Sequence, residues 1–267
     1  MTLALGLLVV CRTTSAQLVE EVPFITTPDN VTLALLQLAG VGPRDHVLDL
    51  GSGDGRIVIT AARRFGARGT GVEIVPDLVE RSNASARAAG VAERVRFLEQ
   101  DLFKTDLSAA TVVTMDLLPE VNLQLRPALL KLAPGTRIVS HDWDLGDWLP
   151  DETLTVDAPD KKIGREKFSR LHRWVVPANA DGLWCGPGGE RLRVVQRYQL
   201  LQAQWRVGPR EWVLQGRLDG VLLRLLGSEA GPLAGRVEGD RLSLGRGSAP
   251  GVALRRSAAA DCPAAAR

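Results

Sequence analysis

Val47-Leu-Asp-Leu-Gly-Ser-Gly-Asp-Gly-Arg56 is the stretch that decides the fold. The residues before Gly51 are typical of a buried parallel strand. The three glycines that follow permit a tight turn and let a ligand approach the backbone closely. Residues 57–65 then have helical character, so the first amides of that helix point at whatever binds on the turn. The stretch therefore predicts a ligand site where a strand passes into a helix.

The carboxylate of Asp49 indicates which ligand fits this turn. A dinucleotide site has the spacing G-x-G-x-x-G and faces a pyrophosphate, whereas the glycines here run G-x-G-x-G behind a carboxylate. A negative charge at this position favours a cationic or amine-bearing ligand over a diphosphate.

Two further acidic residues follow later strands. Glu73 lies at the end of a second predicted strand, and Asp101 follows a third, which ends in Leu98-Glu99. Because the carboxyl ends of parallel strands meet at one edge of a sheet, we expect the two side chains to lie beside Asp49.

This pattern resembles motif I of the class I S-adenosylmethionine-dependent methyltransferases. The resemblance implies that the cofactor is S-adenosyl-L-methionine, with Glu73 on the ribose hydroxyls and Asp101 on the adenine amino group. The cofactor-binding residues it implies are Asp49, Gly51, Ser52, Gly53, Gly55, Glu73, Ile74, Asp101 and Leu102.

Residues 22–177 resemble, more narrowly, a bacterial group related to the mitochondrial protein-lysine methyltransferases of the ATP synthase c subunit and the adenine nucleotide translocase. The resemblance rests on Val22-Pro-Phe, the whole glycine-rich run, Glu73 with Pro76, Leu117-Leu-Pro-Glu-Val-Asn-Leu and Val139-Ser-His-Asp-Trp-Asp-Leu-Gly-Asp-Trp148. It implies that the methyl acceptor is a lysine of a protein. A small-molecule acceptor, or an exported binding protein that keeps the fold without catalysis, remain alternatives.

Methyl transfer from a sulfonium is an in-line displacement, so the enzyme must position a neutral amine and exclude water. A lysine must first lose its proton, which burial or a nearby acceptor assists. The candidates for these tasks follow the fourth and fifth predicted strands: Asp116, Glu120, Asn122, His141, Asp142 and Trp143.

The residues on this acceptor side admit more than one role. Asp116 either hydrogen-bonds the substrate amine or caps the next helix. His141 either exchanges a proton or orients a loop. Trp143 and Trp148, with the acidic residues between them, either form an open rim for a cationic lysine or anchor a loop to the core.

Strands and helices alternate through the first part of the chain with short connections, which predicts a parallel sheet covered on both faces. We expect an α/β fold with a seven-stranded, Rossmann-like methyltransferase sheet, mostly parallel, whose last strand is antiparallel. The expected strands are 46–50, 69–74, 94–99, 111–116, 136–141, 152–158 and 169–176. The expected helices are 31–39, 55–65, 77–89 and 121–131.

From about residue 179 the apolar pattern changes to period two, with turns at Gly208-Pro209, Asp219-Gly220 and Gly239-Asp240. This predicts a small antiparallel β meander or half-barrel. The expected domains are thus 17–177 for the methyltransferase and 178–257 for the all-β domain, with a frayed tail at 258–267. The β domain either binds a ligand, docks a protein substrate or covers an edge.

Leu3 to Val10 is an apolar run too short to cross a bilayer but suited to a signal peptide that ends near residue 16. Cytosolic supply of the cofactor argues against export, so both compartments stay open. Cys185 and Cys262 could pair, and neither has a metal-ligand spacing, so no metal site is expected.

A formal net charge of +2 over 267 residues, without a basic run interleaved with aromatics, favours neither nucleic-acid binding nor a polybasic surface. The resemblance to the protein-lysine methyltransferases implies that the partner is a protein substrate, rather than a small molecule.

Overall fold

The structure, a computed structural model, describes residues 26–162, 165–227, 231–246 and 251–262. The expected signal peptide at 1–16 and the extended segment at 22–25 lie outside the described residues. Within the described ranges, no helix is both long and apolar enough to cross a membrane.

The first domain is the expected methyltransferase sheet. Its strands lie in the order β3-β2-β1-β4-β5-β7-β6, and β7 runs antiparallel to both of its neighbours. The strands are β1 (His46–Leu50), β2 (Arg68–Glu73), β3 (Val95–Glu99), β4 (Val112–Met115), β5 (Arg137–His141), β6 (Glu152–Asp157) and β7 (Phe168–Val175). The helices are α1 (Asp29–Leu38), α2 (Arg56–Phe65), α3 (Pro76–Ala88) and α4 (Pro119–Leu129). The predicted fold class is confirmed.

Strand β1 is buried on both faces of the sheet, which explains why its sequence is mostly apolar. Leu48 and Leu50 pack into the cluster that contains Leu125 of α4, whereas Val47 packs with residues of α1 and α2 on the opposite face. A central parallel strand buried on both sides gives the continuous apolar run seen in the sequence.

Three helices, α1, α3 and α4, begin earlier than predicted, and two of them do so because a proline is their first residue. Helix α3 begins at Pro76 and α4 at Pro119, where a missing N–H costs nothing and the fixed φ suits a helix. Thr27 and Asp29, at the start of α1, are of residue types that commonly cap helices, so the sequence predicts a cap by one of them, but this prediction is wrong. Pro28 occupies the N-cap without a side-chain hydrogen bond, and the Thr27 hydroxyl donates to Asp116 instead.

The second domain is an eight-stranded closed barrel, which goes further than the predicted meander or half-barrel. Closure comes from β15, which pairs with β8 and so leaves no free sheet edge. The strands are β8 (Gly182–Cys185), β9 (Arg191–Arg197), β10 (Leu200–Val207), β11 (Arg210–Asp219), β12 (Leu222–Leu226), β13 (Leu233–Glu238), β14 (Arg241–Gly245) and β15 (Val252–Ser257). Alternate residues point inward, as the period-two pattern predicts, and form one apolar core.

A disulfide between Cys185 and Cys262 fastens the seam at which the barrel closes. Cys185 also pairs across this seam with Arg255 of β15. The bond joins residues 77 positions apart. Of the tail that we expected to fray, Cys262 is therefore tied to the barrel, and residues 263–267 lie outside the described part of the chain.

We predict that the Cys262→Ser variant lowers the stability of the barrel by about 2–5 kcal/mol, because a cross-link over a long loop restricts the unfolded chain. The measurement is denaturant unfolding followed by tryptophan fluorescence, with and without reductant. Reductant should destabilise the wild type and leave Cys262→Ser unchanged. Equal unfolding midpoints for both proteins under oxidising conditions would contradict a stabilising role for the bond.

Candidate functional site

The glycine turn after β1 is fixed to the neighbouring strand by backbone hydrogen bonds. The amides of Gly51 and Ser52 both donate to the carbonyl of Val72, each at 2.9 Å. Gly51 has a φ of +74°, and a Cβ there would lie 2.7 Å from the Leu117 side chain. A side chain at this position would thus be strained by its backbone and would collide with its neighbour.

Glu73 holds the other side of the same turn. Its Oε2 accepts the amide of Gly53 at 2.9 Å, and its Oε1 accepts the amides of Ile74 and Val75 at 2.8 and 3.0 Å. The carboxylate is buried, so these bonds offset the cost of removing it from water. Oε2 has one donor and retains capacity for a ligand hydroxyl.

Asp49 is a buried carboxylate, only 1% exposed. The Thr114 hydroxyl donates to its Oδ1 at 2.6 Å, and among the described residues no basic side chain forms an ion pair with it. Burial, and after it the nearby Asp116 and Glu73, together raise the pKa of Asp49 to about 7, against the opposing effect of the Thr114 hydrogen bond. The site therefore favours a ligand that brings a positive charge to this carboxylate.

The third acidic strand end lies in a more open position. Asp101 accepts the amide of Phe103 at 2.9 Å, which is the main reason why the pKa of Asp101 is lowered. Ile74 and Phe103 stay 68% and 50% exposed at this edge, although both are large apolar side chains. Leu102 is partly buried and packs against the apolar cluster that contains Leu48 and Leu50.

The cradle fits S-adenosylmethionine in three respects. Asp49 presents a carboxylate without a cationic partner, the exposed side chain of Ile74 offers an apolar surface to a flat ring, and the glycines leave the turn free of side chains. The Ser52 hydroxyl, buried in the turn without a hydrogen-bond partner, is a further polar group at this place.

A second cluster lies at the ends of β4 and β5, beside this cradle. The Asp116 Oδ2 accepts the Thr27 hydroxyl at 2.5 Å, and its Oδ1 lies 2.9 Å from the Nδ1 of His141. That Nδ1 is close to the carboxylate but not aligned for a regular hydrogen bond. The His141 Nε2 pairs with the Ser169 hydroxyl at 2.8 Å. Asp116 does not cap α4.

Opposite charges determine the protonation of His141. Burial lowers the pKa of His141, but Asp116 and then Asp142 favour the imidazolium, and together they raise the pKa above 6.5. For Asp142, burial alone would raise the pKa, yet an ion pair with Lys161 at 2.6 Å contributes to holding it below its usual value. Asp142 has a φ of +60° and also accepts the Arg170 amide at 2.9 Å.

The remaining candidates differ in their access to solvent. Asn122 is fully buried, and its Nδ2 donates to the Ser140 hydroxyl and to the carbonyl of Trp143. Trp143 leaves 48% of its surface exposed at the mouth of the site. Glu120 is exposed in the first turn of α4. Asn122 thus holds the loop after β5, and Trp143 on that loop is open to solvent.

The expected rim of two tryptophans does not form. Trp148 is fully buried and packs against Trp174 and Tyr198, so only the anchoring alternative holds for it. Asp147 is paired with Arg126 and Arg197 and is not free to attract an acceptor. No rim forms at Trp148 because Tyr198 and Gln199 of the barrel cover that end of the loop.

Sequence reasoning missed Lys161 and Ser169, and assigned Thr27 to a helix cap. These residues reach the cluster across the sheet from distant parts of the chain, and no local motif marks them. Within the described residues, no group of three histidine, cysteine or acidic side chains is placed to hold a metal ion.

Comparison with known proteins identifies relatives of the first domain. Residues 49–152 match the family described as the ANTKMT methyltransferase domain. Over 141 residues the chain is 43% identical to the protein-lysine N-methyltransferase of Saccharolobus islandicus (strain REY15A). This match covers 52% of this chain and 88% of that protein. It is also 35% identical over 132 residues to the adenine nucleotide translocase lysine N-methyltransferase of Mus musculus. That match covers 49% of this chain and only 57% of the mouse protein.

A solved structure agrees with the fold. It is described as an RNA methyltransferase from Salinibacter ruber in complex with S-adenosyl-L-homocysteine, and it is 49% identical with a TM-score of 0.53. The match covers 58% of this chain and 95% of that one. With the sheet order, the glycine turn and these relatives together, the chain belongs to the class I S-adenosylmethionine-dependent methyltransferases.

Proposed function

We propose that this methyltransferase acts on lysine side chains of proteins. The observation that carries the proposal is the pair of Asp116 and His141, which lies beside the cofactor cradle under a half-exposed Trp143. Two of the relatives above are lysine methyltransferases by name. The cluster provides what a lysine requires, namely a carboxylate to attract the ammonium and an imidazole to take its proton.

On the donor side, we assign Asp49 to the ammonium of the cofactor, Glu73 to its ribose and Asp101 to its adenine. The turn formed by Gly51, Ser52, Gly53 and Gly55 lies along the cofactor backbone, and Ile74 and Leu102 border the adenine. When bound, S-adenosylmethionine supplies an electrophilic methyl group on a sulfonium.

On the acceptor side, Asp116 hydrogen-bonds the incoming ammonium, and neutral His141 accepts its proton. The neutral amine left beside Asp116 would then be the nucleophile for the methyl group that a bound S-adenosylmethionine would supply. Asn122 and Asp142 keep the loop in place, Trp143 contacts the acceptor, and exposed Glu120 attracts a cationic segment to the entrance.

The alternatives to a protein lysine as methyl acceptor are supported or opposed by different observations. A small molecule would call for an enclosed pocket, whereas Trp143 is half open to solvent. The Salinibacter ruber protein is described as an RNA methyltransferase. That nucleic acid is not a partner of this chain therefore stays a prediction. The disulfide of the barrel is typical of oxidising compartments and supports the exported alternative.

Labelling experiments separate these acceptors. The purified chain with methyl-labelled S-adenosylmethionine should label protein in soluble or membrane fractions of the host, and mass spectrometry should place the label on lysine ε-amino groups. Total RNA and a metabolite extract are incubated in parallel, with Glu73→Ala as the inactive control. Label confined to RNA or to metabolites would reject the lysine assignment.

Binding of the cofactor should release a proton from Asp49. At about pH 6 this carboxyl is mostly protonated, since its pKa is about 7, and a bound ammonium would lower that pKa. Calorimetry in two buffers of different ionisation enthalpy should therefore give different heats for the wild type. Asp49→Asn should bind more weakly and give equal heats. Equal heats for the wild type would refute the assignment of the ammonium to Asp49.

The same shift affects the stability of the protein without cofactor. Because the folded pKa is raised, burying the carboxylate costs stability that grows as pH rises from 3.8 to about 7. Asp49→Asn should remove that component of the pH dependence of unfolding.

Methyl transfer should rise with pH as His141 loses its proton, with an inflection above pH 6.5. His141→Gln should abolish this inflection and lower kcat by about 10²–10⁴-fold. The inflection at higher pH from the lysine itself should remain. His46→Gln is the matched control, since His46 begins β1, at the end of the strand opposite the glycine turn, and contacts Thr70. A wild-type pH profile in His141→Gln would exclude His141 as the base.

A further inference from the structure

We propose that the barrel is a positioning element for the methyl acceptor, acting through the turn between β9 and β10. The turn consists of Tyr198 and Gln199, and it holds residues 142–149, which we name the acceptor loop. The proposal rests on the proposed function, because it assigns the barrel to the acceptor side of that same site.

Gln199 makes the main connection. It is 4% exposed, its Oε1 accepts the indole N–H of Trp148 at 3.0 Å, and its Nε2 donates to the carbonyl of Leu149 at 2.8 Å. Both ends of one buried amide are thus used on the acceptor loop. Removing the amide would leave a buried donor and a carbonyl without partners.

Tyr198 reinforces this connection. Its φ is +54°, a region that bulky side chains rarely adopt. The ring stacks on Trp148 with centroids 5.8 Å apart, and its hydroxyl donates to Asp147 at 3.1 Å. The positive φ belongs to the first position of the two-residue hairpin turn between β9 and β10, where such values are usual, and this turn places the ring and the hydroxyl of Tyr198 on the acceptor loop.

The other end of the acceptor loop is held by the first domain. Asn122 donates to the Trp143 carbonyl at 3.2 Å, Arg126 donates to the Leu145 carbonyl at 2.8 Å, and the Trp174 indole donates to the Trp148 carbonyl at 2.7 Å. The loop is therefore clamped between α4 and β7 on one side and the barrel on the other. Trp143 is half exposed and lies near the start of the loop, where Asn122 holds its carbonyl, four residues before Asp147, the first loop residue that the barrel contacts.

The side-chain hydrogen bonds that the described barrel residues make to the first domain lie on this side of the site, whereas the backbone of Gly220 packs against Gly135 elsewhere on that domain. Among the described residues, its side chains hydrogen-bond the first domain at Asp147, Trp148, Leu149 and Asp151. None of these residues belongs to the glycine turn or to the ends of β2 and β3. The match to the family also ends at residue 152, before the barrel begins. Loss of the clamp should thus affect the acceptor and spare the cofactor.

The test uses the full-length chain with Gln199→Met, which retains volume but removes both hydrogen bonds, and Trp148→Phe, which removes the indole donor. Leu214→Val is the matched control, because Leu214 is buried in the barrel core away from the acceptor loop. The probes are methyl-labelled S-adenosylmethionine and a pool of synthetic peptides that each carry a single lysine. Amide hydrogen exchange of residues 142–149 is measured in parallel.

Gln199→Met should lower kcat/KM for the peptides about ten- to a hundredfold, because misplacing an acceptor by about 1 Å is that costly. The Kd for S-adenosylmethionine should not change, and exchange in the acceptor loop should become faster. The double variant should lose less than the sum of the two single losses in kcat/KM, since both changes break the same bond between Trp148 and Gln199. Leu214→Val should lower the melting temperature and leave loop exchange and kcat/KM as in the wild type.

Unchanged loop exchange and unchanged kcat/KM in Gln199→Met would overturn the proposal, as would equal losses in Leu214→Val. A wild type that labels neither peptides nor protein would instead refute the proposed function. In that case hydrogen exchange still decides whether the barrel holds the loop, so the two failures are distinguishable.

Discussion

The three backbone hydrogen bonds accepted by Glu73 hold together the edge of the sheet on which the site depends. They join the turn after β1 to the end of β2 and give a buried carboxylate the partners that burial requires. Without them, the turn would lose the side-chain contact that fixes Gly53. Asp49 is the last residue but one of β1, next to this turn, so its position depends on the same connection.

The edge carries two carboxylates in contrasting environments. Asp49 has a hydroxyl partner but no basic one among the described residues, and its pKa is raised to about 7 by burial. Asp116 faces both Thr27 and His141. The first environment favours binding a cation, and the second favours exchange of a proton. Under the proposed function, this contrast separates the ends of the strands into a donor half around Asp49, which holds the cofactor, and an acceptor half around Asp116 and His141, which receives the lysine.

Local patterns predicted most of the fold, because strand and helix signals are carried by neighbouring residues. The glycine turn, the acidic strand ends and the period-two strands all have this character. What the sequence could not reveal were contacts over long separations. Thr27 meets Asp116 across 89 positions, and Trp148 meets Gln199 across 51. Trp148 was thus predicted with equal weight as rim or anchor, and only the barrel decided between them.

The most direct test is a crystal structure of the chain with S-adenosyl-L-homocysteine bound. We predict that its ammonium contacts the Asp49 carboxylate, its ribose hydroxyls contact Glu73, and its sulfur faces the space beside Asp116 and His141. A ligand whose sulfur points away from that pair, or whose ammonium lies apart from Asp49, would contradict the division of the site into donor and acceptor halves.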